Sequence, residues 1–523
     1  MSDTSIIDVL VVGAGPAGLT LALDLARRGL VCRVLDRLAG PPVGTRARGI
    51  SPRSQEIFED LGILEGLSAY AEPPLGWRLY DRENKIEREM DAASTPNASL
   101  PPTPDAPYRS PLQVSQRYTD AGLRDRLSTF GLHVEWDSQL MAFKEHTDHV
   151  VAKIEHAGQS ETIQARYLVG CDGGHSTVRS VMGIPFEGKT LDDPPNIVAN
   201  VKVSGLDPNS WHFWMNRPVW GLTLQPMVHE DTWLFSTNVL PSTQEELPDP
   251  TLETIQRLFD ERTGMPGIHF SDLTWFSTFR MSGYRVKRYR SGRVFLAGDA
   301  AHIGIAGGQG MNAAIQDVYN LGWKLDYVLQ GAPDALLDTY EEERLPVASR
   351  FLMTSTTHYS SSREVKDGEQ AINKMQEIVA DLSQLSVTYR DSSLSRDLDA
   401  ATGIRAGDRA LDAPSLRAKN GETVRLFDLF RGTHFTLLAF GDQPRPLLPD
   451  AYNRFLRTYT IRKADRTITP DRYTYIDRAG HAHAAYGITT EALILVRPDG
   501  YVGLTAGNLR AQPIIEYLRH FIA

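Results

Sequence analysis

The sequence predicts an α/β protein built around a Rossmann-like nucleotide-binding sheet, and three segments of the 523 residues carry that prediction. Each is an apolar strand that ends in glycines or a carboxylate and runs towards a helix. They read Asp8-Val-Leu-Val-Val-Gly13-Ala-Gly15-Pro-Ala-Gly18, Tyr167-Leu-Val-Gly-Cys-Asp172-Gly173, and Val294-Phe-Leu-Ala-Gly-Asp299. Strand ends of open sheets, and the helix starts that follow them, are where nucleotide cofactors sit, because the first N–H groups of a helix have no partner within it. One such turn is ordinary architecture, whereas three in one chain point to a shared ligand-binding edge.

The first segment belongs to a complete βαβ unit. A hydrophobic strand precedes Gly13, an amphipathic helix follows Gly18, Gly29 ends that helix, and residues 31–35 make the next strand, closing on Asp36. The glycines permit the tight turn, close approach of backbone to a pyrophosphate and close helix packing, while Asp36 is placed to hold adenosine ribose hydroxyls. Residues 38–50 then form a loop rich in Gly, Pro and Arg. It contains Arg46 and Arg48. A guanidinium fork in a loop leaving the ribose-binding strand suits bidentate contact with phosphate, and Arg46 is singled out for it.

The third segment extends from Arg293 to Asp317. After Asp299 comes Ala-Gly307-Gly308-Gln309-Gly310-Met311-Asn312, and a long helix begins near Gly310. Amides at a helix start carry roughly +0.5 of an elementary charge and favour a group that develops negative charge, of which a reduced flavin ring is one example. His302, inside this segment, reads as structural.

Composition sets the outer limits. With 41% hydrophobic and 23% charged residues the chain can bury substantial cores, and its length implies two or three domains. A formal net charge of -10, with no basic run longer than residues 285–290, argues against nucleic acid or an acidic membrane as a partner. Met1-Ser-Asp-Thr-Ser lacks the parts of a signal peptide and no run of about 18 apolar residues occurs, so a soluble, cytoplasmic protein is expected. Cys32 and Cys171 form no C-x-x-C and no metal-spaced cluster with histidine. They read as small buried residues, and no metal is expected.

Further along, residues 92–111 are crowded with Pro, Ser, Thr and Asn and read as an extended linker. Gln116 opens the next helix, with Leu123 and Leu127 on its buried face. Strands are expected over 132–168, with a turn at 156–159. From 196 to 289 the pattern becomes strand-like and aromatic. Period-two alternation puts Trp211, Phe213 and Met215 on one face with Trp214 opposite, and Trp220, Leu222 and Leu224 on a shared face. A sheet apolar on both faces must cover both, and one of them is suited to roof a flat aromatic ligand, each stacked ring adding about 1 kcal/mol. Phe213, Met215, Trp220 and Leu222 are therefore the candidate substrate contacts. Helices resume over 310–360 and the pattern continues to about 385. Residues 403–414 lead into a separate C-terminal unit with strands over 435–440 and 492–496 and a turn at Arg497-Pro-Asp-Gly500.

Taken in order, Gly13-x-Gly15-x-x-Gly18 with Asp36, the Asp172-Gly173 turn, and Gly298-Asp299 with Gly307-Gly308-Gln309-Gly310-Met311-Asn312 resemble the single-component FAD-dependent aromatic hydroxylases. This is the group related to para-hydroxybenzoate hydroxylase and phenol hydroxylase. The resemblance covers about the first 385 residues. The remainder, with Arg405-Ala-Gly-Asp-Arg-Ala and Leu493-Ile-Leu-Val-Arg-Pro-Asp-Gly500, resembles the thioredoxin-like tail of the phenol hydroxylase branch and of polyketide-tailoring hydroxylases. That tail holds no cysteine, which excludes thiol redox work there.

The resemblance implies an FAD-binding domain over 1–190 and 285–385, with 70–115 partly on the substrate side, a mixed-sheet α+β substrate domain over 191–284, and a thioredoxin-like domain over 400–523. It implies Asp36 on the adenosine ribose, Arg46 near the pyrophosphate, Gln116 and Asp299 on the ribityl chain, Asp172 on the pyrophosphate or nicotinamide nucleotide side, and Met311 and Asn312 under the isoalloxazine edge beside Gly310. One departure stands out. Relatives carry proline between the histidine and the double glycine, whereas residues 303–306 here read Ile-Gly-Ile-Ala, one residue shorter. Substrate contacts from that stretch do not carry over.

The activity implied is that of a monooxygenase: NADPH or NADH reduces non-covalently held FAD, O2 gives a flavin C4a-hydroperoxide, and one oxygen passes to an electron-rich carbon of a phenolic, polycyclic or polyketide-type substrate. No catalytic side chain is assigned, since the cofactor carries the chemistry. The resemblance fits a monomer or a homodimer and does not choose between NADH and NADPH. The same scaffold hosts Baeyer-Villiger and antibiotic-inactivating oxygenation. A halogenase or a non-oxygenating reductase is a rival, although the halogenase mark Trp-x-Trp-x-Ile-Pro is broken at Trp211-His-Phe-Trp214. A redox-gated interaction protein is a third reading, against which the aromatic middle segment favours a small-molecule pocket.

Overall fold

The computed structural model describes residues 6–45, 47–95, 98–191, 194–214, 221–238, 249–304, 310–362, 370, 373, 382–398, 402–443, 445–463 and 471–521. Arg46, Met215, Trp220 and residues 305–309 lie outside them. At the centre is an eight-stranded sheet whose main path runs Arg290–Ser291, Val294–Leu296, Gln159–Gly170, Ile7–Val12, Cys32–Leu35 and Val134–Glu135. Val150–His156 and Ser138–Glu145 extend it as an antiparallel meander. The pairings that carry the cofactor turns are parallel, with Val12 opposite both Gly170 and Leu35, and Gly170 opposite Leu296. Their C-terminal ends therefore lie side by side.

Parallel strands are covered on both faces, which is why Val9, Leu10, Val11, Leu168 and Val169 form an unbroken apolar, fully buried set. The helix Pro16–Arg27 is one cover. Pro16 stands at its first turn, where a missing N–H is no loss, and residues 17–26 are all buried. Asp24 is tolerated there because Arg27 and Arg28 hold its carboxylate at 2.7 and 3.0 Å. The helix Gly310–Leu329 packs across this one. Gly298, at φ +60°, allows the approach, since a Cβ there would lie 2.8 Å from that of Ala314.

A seven-stranded sheet forms the middle of the molecule, in the order His269–Phe279, Asn196–Ser204, Thr232–Asn238, Leu222–Met227, Ser210–Trp214, Gly76–Tyr80 and Ile86–Met90. The helix Leu252–Thr263 covers one face, where Ile255, Leu258 and Phe259 meet Trp214, Leu222, Leu224 and Phe235. The other face turns towards the nucleotide-binding unit. There Thr45 N–H donates to Asn200 Oδ1 at 3.1 Å, and the Trp275 ring fills the space beside Gly44.

The C-terminal sheet holds Val502–Ala506, Ala492–Val496, Phe435–Phe440 and Leu456–Lys463 as consecutive neighbours, with the last pair parallel and the others antiparallel. That is the thioredoxin-like strand order. Its edge strand comes from Arg396–Leu398. Trp323 and Tyr327 of the helix Gly310–Leu329 pack against Phe435 of this unit, so one helix serves two cores.

Candidate active site

Because the parallel strands end in register, each cofactor turn starts as the next rung of the ladder. Gly13 N–H donates to Leu35 O at 2.7 Å, Cys171 N–H to Val12 O at 2.7 Å and Ala297 N–H to Gly170 O at 3.0 Å. The first two turns open a cleft of about 240 Å³ lined by Gly13, Gly15, Asp36, Gln116, Asp172 and His175 among others. At Gly13, φ +102°, a Cβ would meet the Cys171 carbonyl, and at Gly18 it would meet the Gly13 carbonyl. Only glycine fits either position.

Asp36 lies half-buried in the cleft and accepts the Ala14 N–H at 2.8 Å through Oδ2 and the Leu38 N–H at 2.9 Å through Oδ1. Each oxygen retains acceptor capacity for a hydroxyl. The helix Pro16–Arg27 starts at Gly15 with no side-chain cap and no acid in its first turn, leaving its N–H groups to an anion. A cradle closed to any Cβ, uncapped helix amides and a carboxylate set to receive hydroxyls together fit the adenosine and pyrophosphate half of a dinucleotide.

Gln116 begins the helix Gln116–Ser128 and is tied to the loop after Asp36. Its N–H donates to Ala47 O at 2.9 Å, and the Thr45 and Ser115 hydroxyls lie 2.6 Å apart. Asp172 lines the cleft, yet its carboxylate is committed to its own turn: Ser176 Oγ donates to it at 2.5 Å and Val178 N–H at 3.1 Å. Burial raises its pKa, and those hydrogen bonds oppose the rise. Arg179, which sequence reasoning passed over, ties the second turn to the third. Its guanidinium donates to Gly174 O at 2.6 Å and to Ala300 O at 2.9 Å.

Asp299 is exposed at the end of the third strand and faces the start of the helix Gly310–Leu329; a Cβ on Gly310 would lie 3.9 Å from Asp299 Oδ1. Met311 beside it is half-buried. Asn312 does something the sequence did not announce. It accepts the Ser51 N–H at 2.8 Å and donates to Gly49 O at 2.8 Å, pinning the loop that carries Arg46 and Arg48 to the helix start. Its side-chain amide is thereby held against the backbone of Gly49 and Ser51.

The third segment is also closed on itself. Asp317, fully buried, accepts the Gly298 N–H at 3.1 Å, sits 2.7 Å from His302 Nε2 and takes the Arg344 Nε–H at 2.7 Å. Burial acts to raise the Asp317 carboxyl, and Arg344 and His302 outweigh it and hold it below the ordinary value. His302 is thus a buried partner of Asp317, which suits the structural reading. Asp317 itself was visible only as the last residue of the motif.

On the substrate side, Phe213 and Leu222 part company. Trp214 pairs with Leu222 and Phe213 with Thr223, so Phe213 and Leu222 project to opposite faces. Phe213 joins Trp77, Trp211 and Met90 on the face towards the nucleotide-binding unit. Leu222, 0% exposed, lies under the helix Leu252–Thr263 and is ordinary core, which corrects its place among the candidate contacts. Period two identifies which residues share a face but not which face a helix covers. Met215, Trp220 and Arg46 fall outside the described residues, as do positions 305 and 306 of the short stretch.

Among the described residues no group of three His, Cys, Asp or Glu is arranged to hold a metal, and no helix is long and apolar enough to cross a membrane.

Comparison with known proteins agrees with this geometry. Residues 6–355 match the model of the FAD binding domain, and 445–523 that of the phenol hydroxylase C-terminal dimerisation domain. A flavin-dependent monooxygenase of Mycobacteroides abscessus is 39% identical, covering 98% of this chain and 100% of its own. A 6-methylpretetramide 4-monooxygenase of Streptomyces rimosus is 30% identical, covering 94% and 90%. Among solved structures, an anhydrotetracycline hydroxylase from Streptomyces rimosus superposes with a TM-score of 0.74 at 28% identity, covering 99% of each chain. With its cofactor turns converging on one edge and its likeness to these proteins running end to end, the chain belongs to the FAD-dependent aromatic hydroxylases of the para-hydroxybenzoate and phenol hydroxylase family, and is a flavoprotein monooxygenase.

Proposed function

We propose that the protein uses NADPH or NADH and O2 to hydroxylate a phenolic, polycyclic substrate of the polyketide type. The observation that carries this is the convergence of Gly13, Asp36, Gln116 and Asp172 on one cleft, with Asp299 turned to the helix start at Gly310. When bound, FAD supplies the hydride acceptor and the O2-activating centre. Asp36 takes the adenosine ribose, the Gly15 helix start takes the pyrophosphate, and Asp299 takes the ribityl hydroxyls. Arg46 completes the phosphate contacts. The amides from Gly310 to Asn312 favour negative charge on the reduced ring, and Met311 lies at its edge. Phe213, Trp77 and Trp211 offer aromatic surface to the substrate from the facing sheet. The tetracycline-pathway relatives favour a large, fused-ring substrate over a simple phenol. The matched dimerisation domain supports a homodimer joined through the C-terminal unit.

The test is direct. Purified protein should be yellow, and a phenolic substrate should accelerate NAD(P)H oxidation and gain one oxygen atom derived from labelled O2 without ring expansion. NAD(P)H oxidation indifferent to every fused-ring phenol supplied would reject the hydroxylase reading. Asp299→Ala should be purified without flavin; a fully loaded variant would contradict the role given to Asp299.

A further inference from the structure

A second pocket, of about 60 Å³, lies between the loop after Asp36 and the middle sheet, lined by Arg48, Glu72, Pro74, Trp77, Gln113 and Trp211 among others. It contains two buried charges that do not neutralise each other directly. Arg48 is 8% exposed and Glu72 is 7% exposed. Arg48 donates to Gln225 Oε1 at 3.1 Å and Pro226 O at 3.3 Å, and its Nε has no partner among the described residues. Among the described residues two of its five guanidinium N–H groups are thus used, neither by a carboxylate. Among the described residues the Glu72 carboxylate accepts one N–H, from Val228 at 2.8 Å, and Glu72 and, less strongly, Glu230 act on Arg48 only through their fields. The aromatic wall is ordered: the Arg48 guanidinium lies 5.3 Å from the Trp211 ring centroid, and Trp211 stacks on Trp77 at 5.8 Å and 12°.

The pocket is close to the redox site by chain connection. Arg48 is three residues before Ser51, which Asn312 holds at the start of the flavin helix, a backbone span of at most about 11 Å. Leu112 and Gln113, which pair with Gly49–Ile50, line the same pocket.

We propose that this pocket is a subsite for the far end of the substrate, in which Arg48 and Glu72 together recognise a neutral planar group offering one acceptor and one donor along one edge. A carboxamide, or a hydroxyl beside a carbonyl, has that form. A carboxylate would satisfy Arg48 and be repelled by Glu72, a cation the reverse, and an apolar edge would leave both charges unpaired. The inference rests on the monooxygenase reading, because the pocket matters as an extension of the flavin site.

Three probes of one shape separate the chemistries: 2-naphthamide, 2-acetonaphthone and 2-naphthoate, titrated into the flavin-containing protein and followed by quenching of tryptophan emission. The amide should bind roughly tenfold or more tighter than either of the others. Arg48→Met should weaken amide and ketone alike by a similar factor, with Arg48→Lys restoring part. Glu72→Leu should abolish the preference for amide over ketone and improve binding of naphthoate. Wild-type protein that binds none of the three, ranks them equally or prefers naphthoate would overturn the proposal, as would a Glu72→Leu protein that keeps the wild-type ranking. Flavin content and NADPH oxidation are read separately. A colourless protein that still ranks the probes defeats the monooxygenase reading alone, whereas a yellow, NADPH-consuming protein that ignores the amide defeats the subsite alone.

Discussion

Asp317 shows how a single side chain can bind a motif together. Its carboxylate joins the turn before Asp299, the histidine after it and Arg344 from a later helix, all at zero or near-zero exposure. Removing one member of a buried charge pair costs about 3–5 kcal/mol, because the remaining charge is left without its partner. Asp317→Asn should therefore lower the urea midpoint and release flavin at lower denaturant than wild type. Unchanged unfolding and flavin retention would mean that Arg344 finds another partner. Gly13, Gly18 and Asp36 were legible in the sequence because their roles are local: a turn, a close approach, a strand end. The partners of Arg179, Asn312 and Asp317 were not, because each acts on backbone or side chains that only the fold brings near. Ser51 and Asn312 are 261 positions apart.

The Gly310–Leu329 helix and the Gly49–Ile50 strand act as one unit at the scale of elements. Asn312 bridges them, while Ser51 both donates to Asn312 and caps the helix Pro52–Asp60 through its hydroxyl, which accepts the Ser54 N–H. Asn312→Ala leaves the Ser51 N–H and the Gly49 carbonyl without that partner, at a cost of about 1–3 kcal/mol. The fold should survive, and flavin reconstitution of the stripped protein should show roughly tenfold weaker binding. Equal affinity would show that the loop holds its place without the bridge. Alternation predicted the faces of the strand Ser210–Trp214 correctly, with Trp211 and Phe213 opposite Trp214. It misplaced Leu222 among substrate contacts because burial by a helix 30 residues downstream leaves no mark on a period of two.

For the whole molecule, the decisive contact is the seam between the flavin helices and the C-terminal unit. Glu343 there receives Lys324 at 2.8 Å and Arg497 at 2.5 Å, and Arg497 also holds Asp499 at 2.5 Å, every side chain 0–2% exposed. The Arg497-Pro-Asp-Gly500 turn, which reads in sequence as a simple hairpin signal, therefore carries the charges that complete this cluster. Burial pulls Lys324 from the ordinary 10.5 down to about 8, with Glu343 opposing the shift. Between those values the unfolded chain binds the proton more tightly, so this group makes stability rise as pH increases from about 8 to 10.5, by about 3 kcal/mol in all. Denaturant unfolding at the two ends of that window should show the rise in wild type and its loss in Lys324→Met; an identical slope in both proteins would place the titration elsewhere. The sequence by itself determined the strands, the glycine turns and their order, because hydrophobic period, glycine and strand-end carboxylates act over a few residues. Only the tertiary structure decided that the first two turns share one cleft, which sheet face meets the flavin unit and how the C-terminal unit locks on. Those depend on strand register and on buried charges whose partners lie hundreds of positions away, and no local pattern encodes them.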